Sequence, residues 1–251
     1  MHYGDLLSII IGSQDNARIE VNVEMEEENL KNEFLQDQAE RVADKILRLE
    51  AYTEIQNNMG CCVMSYNYRR PEEVLLFFSS REDASIEIAD EGVFRGPNIR
   101  EGITYLMPSR CEPGELMDIQ LASPIIEVAK DLATARTQWV CPGIGALPRE
   151  GEDPQAIWNW GIIGADFIYE DGRWKIWHFH WFRLMKCDYH MGWVQDISLE
   201  NRPNLPVHPL AEETTYHNPY TPYSIRECIP MYPRPYQTWD GEDWMLKKRK
   251  E

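Results

Sequence analysis

The sequence is poor in basic side chains. Its 251 residues include 25 lysines and arginines against 42 aspartates and glutamates, a formal net charge of −17. Such a charge repels phosphate backbones and anionic membranes at long range, so neither nucleic acid nor a membrane is an expected partner. The one basic run, Lys247 to Lys250, closes the chain and is interpreted as a solvated tail.

Paired cysteines and long apolar runs are also missing. The six cysteines show no C-x-x-C spacing, which favours reduced thiols. The apolar start Leu6 to Ile11 has no basic region before it and is too short to span a bilayer. These absences predict a cytoplasmic protein that is neither secreted nor inserted into a membrane.

The common cofactor and hydrolase motifs are absent as well. The sequence contains no glycine-rich phosphate loop, no G-x-S-x-G elbow and no H-E-x-x-H. Nucleotide cofactors and serine hydrolysis therefore lose support, and we expect no cofactor.

What is present indicates a folded core with helices first. Hydrophobic residues make up 43% of the chain and aromatic residues 11%. Apolar positions recur at helical spacing from Val42 to Tyr66, with one break near Tyr52. Pro71 opens a second predicted helix, 72–78, and a third follows Pro97.

Strands dominate the next part of the chain. Asp171-Gly172 is typical of a hairpin turn. The strand-like runs are 85–93, 118–129, 134–140, 156–169 and 174–184. Helices followed by an antiparallel meander predict an α+β fold.

The sequence divides into three predicted segments. Residues 1–38 form an acidic arm, solvated or helical and exposed, and 39–200 form the α+β domain. Eight of the 16 prolines lie between Pro203 and Pro235, among many tyrosines. We interpret 201–251 as an extended arm packed on the domain or on a partner subunit, the alternative being a disordered tail.

The strand from Trp174 to Leu184 carries the main candidates for chemistry. Because side chains alternate along a strand, His178 and His180 share the face of Trp174 and Ile176, the predicted pocket face. A half-buried imidazole there is a suitable general acid or base. The histidines could instead be structural, or could bind a metal, but no third ligand is evident nearby and we predict none.

Other residues complete the predicted site. Tyr66 and Tyr68 end the first helix near a pocket mouth. Asp90 and Glu91 could orient a histidine, the alternative being that both are solvated near a turn. Aromatic side chains would form flat walls suited to rings, and polar ones would contact the substrate. The predicted substrate-binding residues are Tyr68, Trp139, Trp158, Asn159, Trp174 and Arg183.

The same residues resemble the SnoaL-like branch of the nuclear-transport-factor-2-like superfamily, over roughly residues 40 to 195. The segments that carry the resemblance are 59–66, 72–78, 86–90 with Gly92 and Gly96, and 171–180. The resemblance implies a curved sheet, antiparallel or mixed, that forms a cone around N-terminal helices and encloses one apolar pocket. Tyr66 falls near the position of a catalytic tyrosine or histidine in related dehydratases, whereas Asn67-Tyr68-Arg69 replaces their common aspartate.

Relatives of this kind include scytalone dehydratase, bile acid 7α-dehydratase and lyases that release formaldehyde from lignin-derived diaryl compounds. The resemblance implies a cofactor-free lyase, either a dehydratase or a retro-aldol enzyme that releases formaldehyde, that acts on an aromatic or polycyclic hydroxylated compound. Its catalytic residues would be His180, His178, Tyr66 and Asp90. The resemblance also implies a homo-oligomer, dimer or trimer. An isomerase, a cyclase and a non-catalytic binding or assembly module remain alternatives, because fold alone fixes no reaction.

Overall fold

A computed structural model describes residues 3–107, 111–196 and 208–247, with side chains from residue 29 onward. The chain divides into two compact units, residues 1–49 and 50–251. Helix α1, Tyr3–Asn67, runs without interruption, so the predicted break near Tyr52 is wrong. The stretch from residue 39 to 59 contains neither proline nor glycine to cause one.

The described residues form three further α-helices, all of them short. Helix α2, Pro71–Leu75, begins at the predicted proline and ends earlier than predicted. A single 3₁₀ turn, Gly96–Asn98, leads into α3, Ile99–Leu106, which confirms the third predicted helix. Helix α4, Gly192–Gln195, follows the last strand.

Eight strands of the described part of the chain form one sheet. Their bounds are β1 Ser85–Ile88, β2 Gly92–Arg95, β3 Leu116–Ile119, β4 Ala122–Val128, β5 Thr134–Cys141, β6 Gly143–Arg149, β7 Glu152–Glu170 and β8 Arg173–Asp188. The predicted strand 85–93 is two strands joined by a turn, and 118–129 is likewise two. Strand β6 was not predicted.

The sheet is mixed, and the α+β prediction is confirmed. Its strands run in the order β2-β1-β8-β7-β5-β4, and β6 joins β3 to β7. Only the β1 and β8 pair is parallel among these strand pairs. The β7–β8 hairpin turns at Asp171 and Gly172, whose φ angles of 51° and 76° are those that Asp-Gly favours.

The two faces of the sheet have different partners. Residues from 50 to 67 of α1, together with α2 and α3, pack on what we call the cavity face. Residues 208–247 form an arm without helix or named strand, and much of it packs on the opposite face of the sheet, which we call the arm face. Thr134, Asp166 and Glu87 on the arm face hydrogen-bond to this arm.

A β-bulge in β8 decides which side chains face the cavity. Asp166 pairs with His178 and Phe167 pairs with Ile176, so Trp177 has no partner on β7. One extra residue reverses the alternation of side chains. Ile176 therefore lies in the core beside α1, whereas His178 and His180 turn to the arm face.

None of the described helices is both long and apolar enough to cross a membrane.

Candidate functional site

A cavity of about 210 Å³ lies between the helices and the cavity face of the sheet. Its walls are mainly apolar and come from α1, α2, α3 and the central strands. Phe179, Trp181 and Arg183 of β8 line it, as expected for alternate residues after the bulge. For comparison, an engineered cavity of about 150 Å³ holds benzene, so this one has room for one or two rings.

Tyr66, on the last turn of α1, supplies a proton donor to the cavity. Burial raises the pKa of its hydroxyl, and the charge of Glu91 raises it further, although Arg69 and Arg183 oppose the change. The phenol is therefore protonated at neutral pH. Because all three charges act on Tyr66, they lie in the same part of the site.

Arg69 follows Tyr66 by three residues and also lines the cavity. Its Nε donates a hydrogen bond to Glu115 Oε1 at 2.9 Å, and its Nη2 donates to the same oxygen. The guanidinium also lies 5.8 Å from the centre of the Tyr66 ring. The positive charge is thus compensated before any ligand enters.

Arg183 forms the second ion cluster. Its side chain is 6% exposed, and its Nη1 donates to Asp90. Its Nη2 donates to Glu91 Oε1 at 3.0 Å. Glu91, on the turn between β1 and β2, lines the cavity, so Arg183 holds a carboxylate at the cavity wall. Asp90 was predicted to orient a histidine of β8, and instead binds Arg183.

Asn159 of β7 is buried and lines the cavity. Its Nδ2 lies 3.7 Å from the sulfur of Met117, and its Oδ1 is buried without a hydrogen-bond partner among the described residues. Buried amide oxygens are nearly always satisfied. The site therefore offers one acceptor that a bound molecule can use.

The histidines of β8 do not line this cavity. Nε2 of His180 lies 3.3 Å from Glu87 Oε1 beneath the arm, and burial lowers the pKa of His180 to about 3. Nδ1 of His178 lies 3.0 Å from Asp166 Oδ2, and its Nε2 lies 3.2 Å from the carbonyl oxygen of Asp83. The predicted pocket face for both is wrong, because the bulge at Trp177 reverses it.

Four other predicted site residues also lie outside the cavity lining. Trp139 and Trp174 belong to the buried core. Trp158 stacks on Tyr189, with ring centres 5.5 Å apart. The side chain of Tyr68 points away from the core and is 61% exposed. The structure thus brings together Tyr66, Asn159 and Arg183, with Asp90 behind Arg183.

Sequence reasoning missed Arg69 and Lys186, and it considered Glu91 only as a carboxylate that could orient a histidine. All three residues line the cavity. Lys186 reaches the cavity because a second bulge, at Leu184, shifts β8 against β7 between Arg183 and Met185. Arg69 lies two residues after the end of α1, and a charged residue beside the predicted pocket mouth was a usable signal. Among the described residues no three histidine, cysteine or carboxylate side chains cluster as metal ligands.

Helices and one mixed sheet enclose an apolar cavity with a few polar groups, an arrangement typical of small-molecule sites. The sequence model of the SnoaL-like domain matches residues 47–180, more than half of the chain. The chain belongs to this family. A comparison with curated proteins finds no match.

Several solved structures are similar to this chain at low sequence identity. One, assigned as a scytalone dehydratase from Novosphingobium aromaticivorans, is 18% identical, with a TM-score of 0.47, and covers 63% of this chain and 99% of its own. A type 2 hexachlorocyclohexane dehydrochlorinase, LinA, is 18% identical, with a TM-score of 0.48, and covers 57% and 92%. LinA-type3 from Novosphingobium barchaimii is 16% identical, with a TM-score of 0.47, and covers 57% and 93%.

Proposed function

We propose that this protein is a cofactor-free lyase that eliminates water from an uncharged, hydroxylated compound of one or two rings. The observation that carries the proposal is the presence of Tyr66 and Glu91, an acid and a base, at one apolar cavity. Elimination requires both functions on one substrate. Membership of a family that includes lyases supports the same reaction class.

The charges around the cavity favour an uncharged substrate. Arg69 is neutralised by Glu115, and Arg183 by Asp90 and Glu91. Lys186, the third basic residue of the cavity lining, also has an interaction partner in the protein. An anionic ligand would have to displace one of these carboxylates, whereas a neutral ring needs only the apolar walls.

The proposed reaction uses the two groups in opposite directions. Glu91 takes a proton from the carbon next to the hydroxyl-bearing carbon, and the electron pair forms the carbon–carbon double bond. The carbon–oxygen bond breaks, and Tyr66 donates its proton to the departing hydroxyl, which leaves as water. Glu91 then returns its proton to Tyr66 through solvent, so the enzyme is unchanged.

Arg183 holds Glu91 in place at the cavity wall. Its Nη2 donates to Glu91 Oε1 at 3.0 Å while its Nη1 donates to Asp90, so the guanidinium is anchored between the two carboxylates. Arg69 stabilises negative charge on Tyr66 after proton transfer, because its positive charge lowers the pKa of that phenol. Each of these groups belongs to a pair that exists before substrate binds.

The test is turnover of a panel of one- and two-ring alcohols, with loss of water detected by mass spectrometry. We expect Tyr66→Phe and Glu91→Gln each to lose about 10²- to 10⁴-fold in rate. Tyr105→Phe and Glu72→Gln are matched controls, since both residues are exposed and outside the cavity lining, and should keep wild-type rates.

Two results would contradict the proposal. Full turnover by a folded Tyr66→Phe variant would remove the assigned acid. If ring compounds raise the melting temperature of the wild type but none is converted, the cavity belongs to a binding module and the lyase assignment fails.

A further inference from the structure

Residues 214–220 of the arm run past the end of β1 and contact β8. Thr214 Oγ1 donates to the carbonyl oxygen of Ala89 at 2.7 Å, and the backbone N–H of Thr215 donates to Glu87 Oε1 at 2.7 Å. The backbone N–H of Tyr220 donates to the carbonyl oxygen of Leu184 at 2.8 Å. Residue 217 is therefore held between two anchored points.

His217 and Arg183 line the same small cavity, of about 30 Å³. Nε2 of His217 and Nε of Arg183 are both buried without a hydrogen-bond partner among the described residues. A cavity that holds a water needs roughly 10–15 Å³ and two or more polar partners. Both conditions are met here.

The two orphan atoms are chemically complementary. The guanidinium Nε–H is a donor only, and an imidazole nitrogen of a neutral histidine is an acceptor. The groups that face His217 are Asp90, Arg183 and His180. Burial lowers the pKa of His217, and Arg183 lowers it further while Asp90 opposes the change, so the ring is neutral at neutral pH.

We propose that an ordered water bridges Arg183 Nε–H and His217 Nε2, and that His217 is thereby a positioning residue for Arg183 and Glu91. The water accepts from the guanidinium and donates to the imidazole. This inference rests on the proposed function in one respect, the use of Glu91 as base. The proposal places one residue of the site, His217, on the C-terminal arm, outside residues 47–180 that match the family model.

A high-resolution crystal structure of the full chain tests the bridge without any substrate. We expect a water within hydrogen-bonding distance of both nitrogens in the wild type and in His217→Gln, whose side-chain oxygen can accept. His217→Phe should exclude it. A dry cavity in the wild type overturns the proposal.

The positioning role has its own readout, the ionisation of Tyr66 followed by NMR on carbon-13-labelled tyrosine. Because Arg183 and Glu91 both act on the pKa of Tyr66, displacement of Arg183 in His217→Phe should shift that titration. His217→Gln should restore it. His208→Phe is the control, since His208 is on the same arm but contacts Phe94 and Tyr105.

Kinetics separate this inference from the proposed function. With a converted substrate, His217→Phe should lower kcat with KM unchanged, and His217→Gln should recover most of the loss. An unchanged Tyr66 titration and unchanged kcat in folded His217→Phe overturn the positioning role. If no substrate is converted, the water and the Tyr66 titration still decide it.

Discussion

The unpartnered side-chain oxygen of Asn159 predicts a difference in ligand affinity of definite magnitude. Its Oδ1 is buried at the cavity without a partner among the described residues. Leaving a buried acceptor unsatisfied costs about 1–3 kcal/mol. Phenol can donate a hydrogen bond to this oxygen, whereas anisole has a similar ring but no donor. We therefore expect phenol to bind about 5- to 150-fold more tightly than anisole.

The perturbation is Asn159→Leu, which replaces the amide with an apolar group of similar size. The preference for phenol over anisole should fall to about one, and the free energy of unfolding should rise by up to about 1–3 kcal/mol, because the orphan acceptor is gone. Isothermal titration calorimetry measures the affinities, and urea denaturation the stability.

Gln155→Leu serves as the control, because Gln155 lies on the same strand outside the cavity lining and bonds to Asp188. That variant should keep the preference for phenol. Equal affinity of the wild type for phenol and anisole, or an unchanged preference in Asn159→Leu, would refute the reasoning.

Two further predictions concern the arm face. The pKa of His180 is 6.5 in its ordinary state and about 3 in the fold, so the unfolded chain takes up the proton first. Stability is fully present above about pH 6.5 and falls as the pH drops towards 3; urea denaturation at stepped pH should show a smaller loss for His180→Phe. The ring centres of Trp239 and Trp177 are 4.8 Å apart. Trp239→Ala should lower the free energy of unfolding by about 2 kcal/mol, measured by thermal unfolding. Tyr223→Ala should cost nothing measurable, because Tyr223 is 90% exposed; equal losses from both would contradict the assignment of Trp239 as an arm anchor.

Local features were predictable from the sequence because their causes are local. Pro71 begins α2, Asp171-Gly172 turns the β7–β8 hairpin, and Tyr66 lies on the last turn of α1 as expected. Each depends on the conformational preferences of a few neighbouring residues. The order of the predicted helices and strands indicated the α+β class, and the family resemblance implied the mixed sheet around N-terminal helices.

The histidine face could not be predicted in the same way. The bulge at Trp177 is a feature of the pairing between β8 and β7. The sequence of β8 alone does not show it, because it depends on which residues of β7 pair with β8 in the fold. Strict alternation from Trp174 therefore placed His178 and His180 on the wrong face. Glu91 is distant from Tyr66 and Arg69 in sequence, and only the fold brings it to them.

Strand β6 shows a second limit. Its glycines are unfavourable in strands by propensity. The fold requires one of them, because a Cβ at Gly143 would lie 2.5 Å from the backbone oxygen of Asn159. The close approach of β6 to β7 thus explains a residue that argued against a strand when the sequence was considered alone.

The most direct test compares Tyr66→Phe and His180→Phe side by side on one converted ring alcohol, with folding of each verified by circular dichroism. If the chemistry occurs in the cavity, Tyr66→Phe loses at least about 10²-fold in rate and His180→Phe retains wild-type turnover at pH values where it is folded. Loss of activity in His180→Phe with full activity in Tyr66→Phe would move the reaction to the arm face and contradict the account.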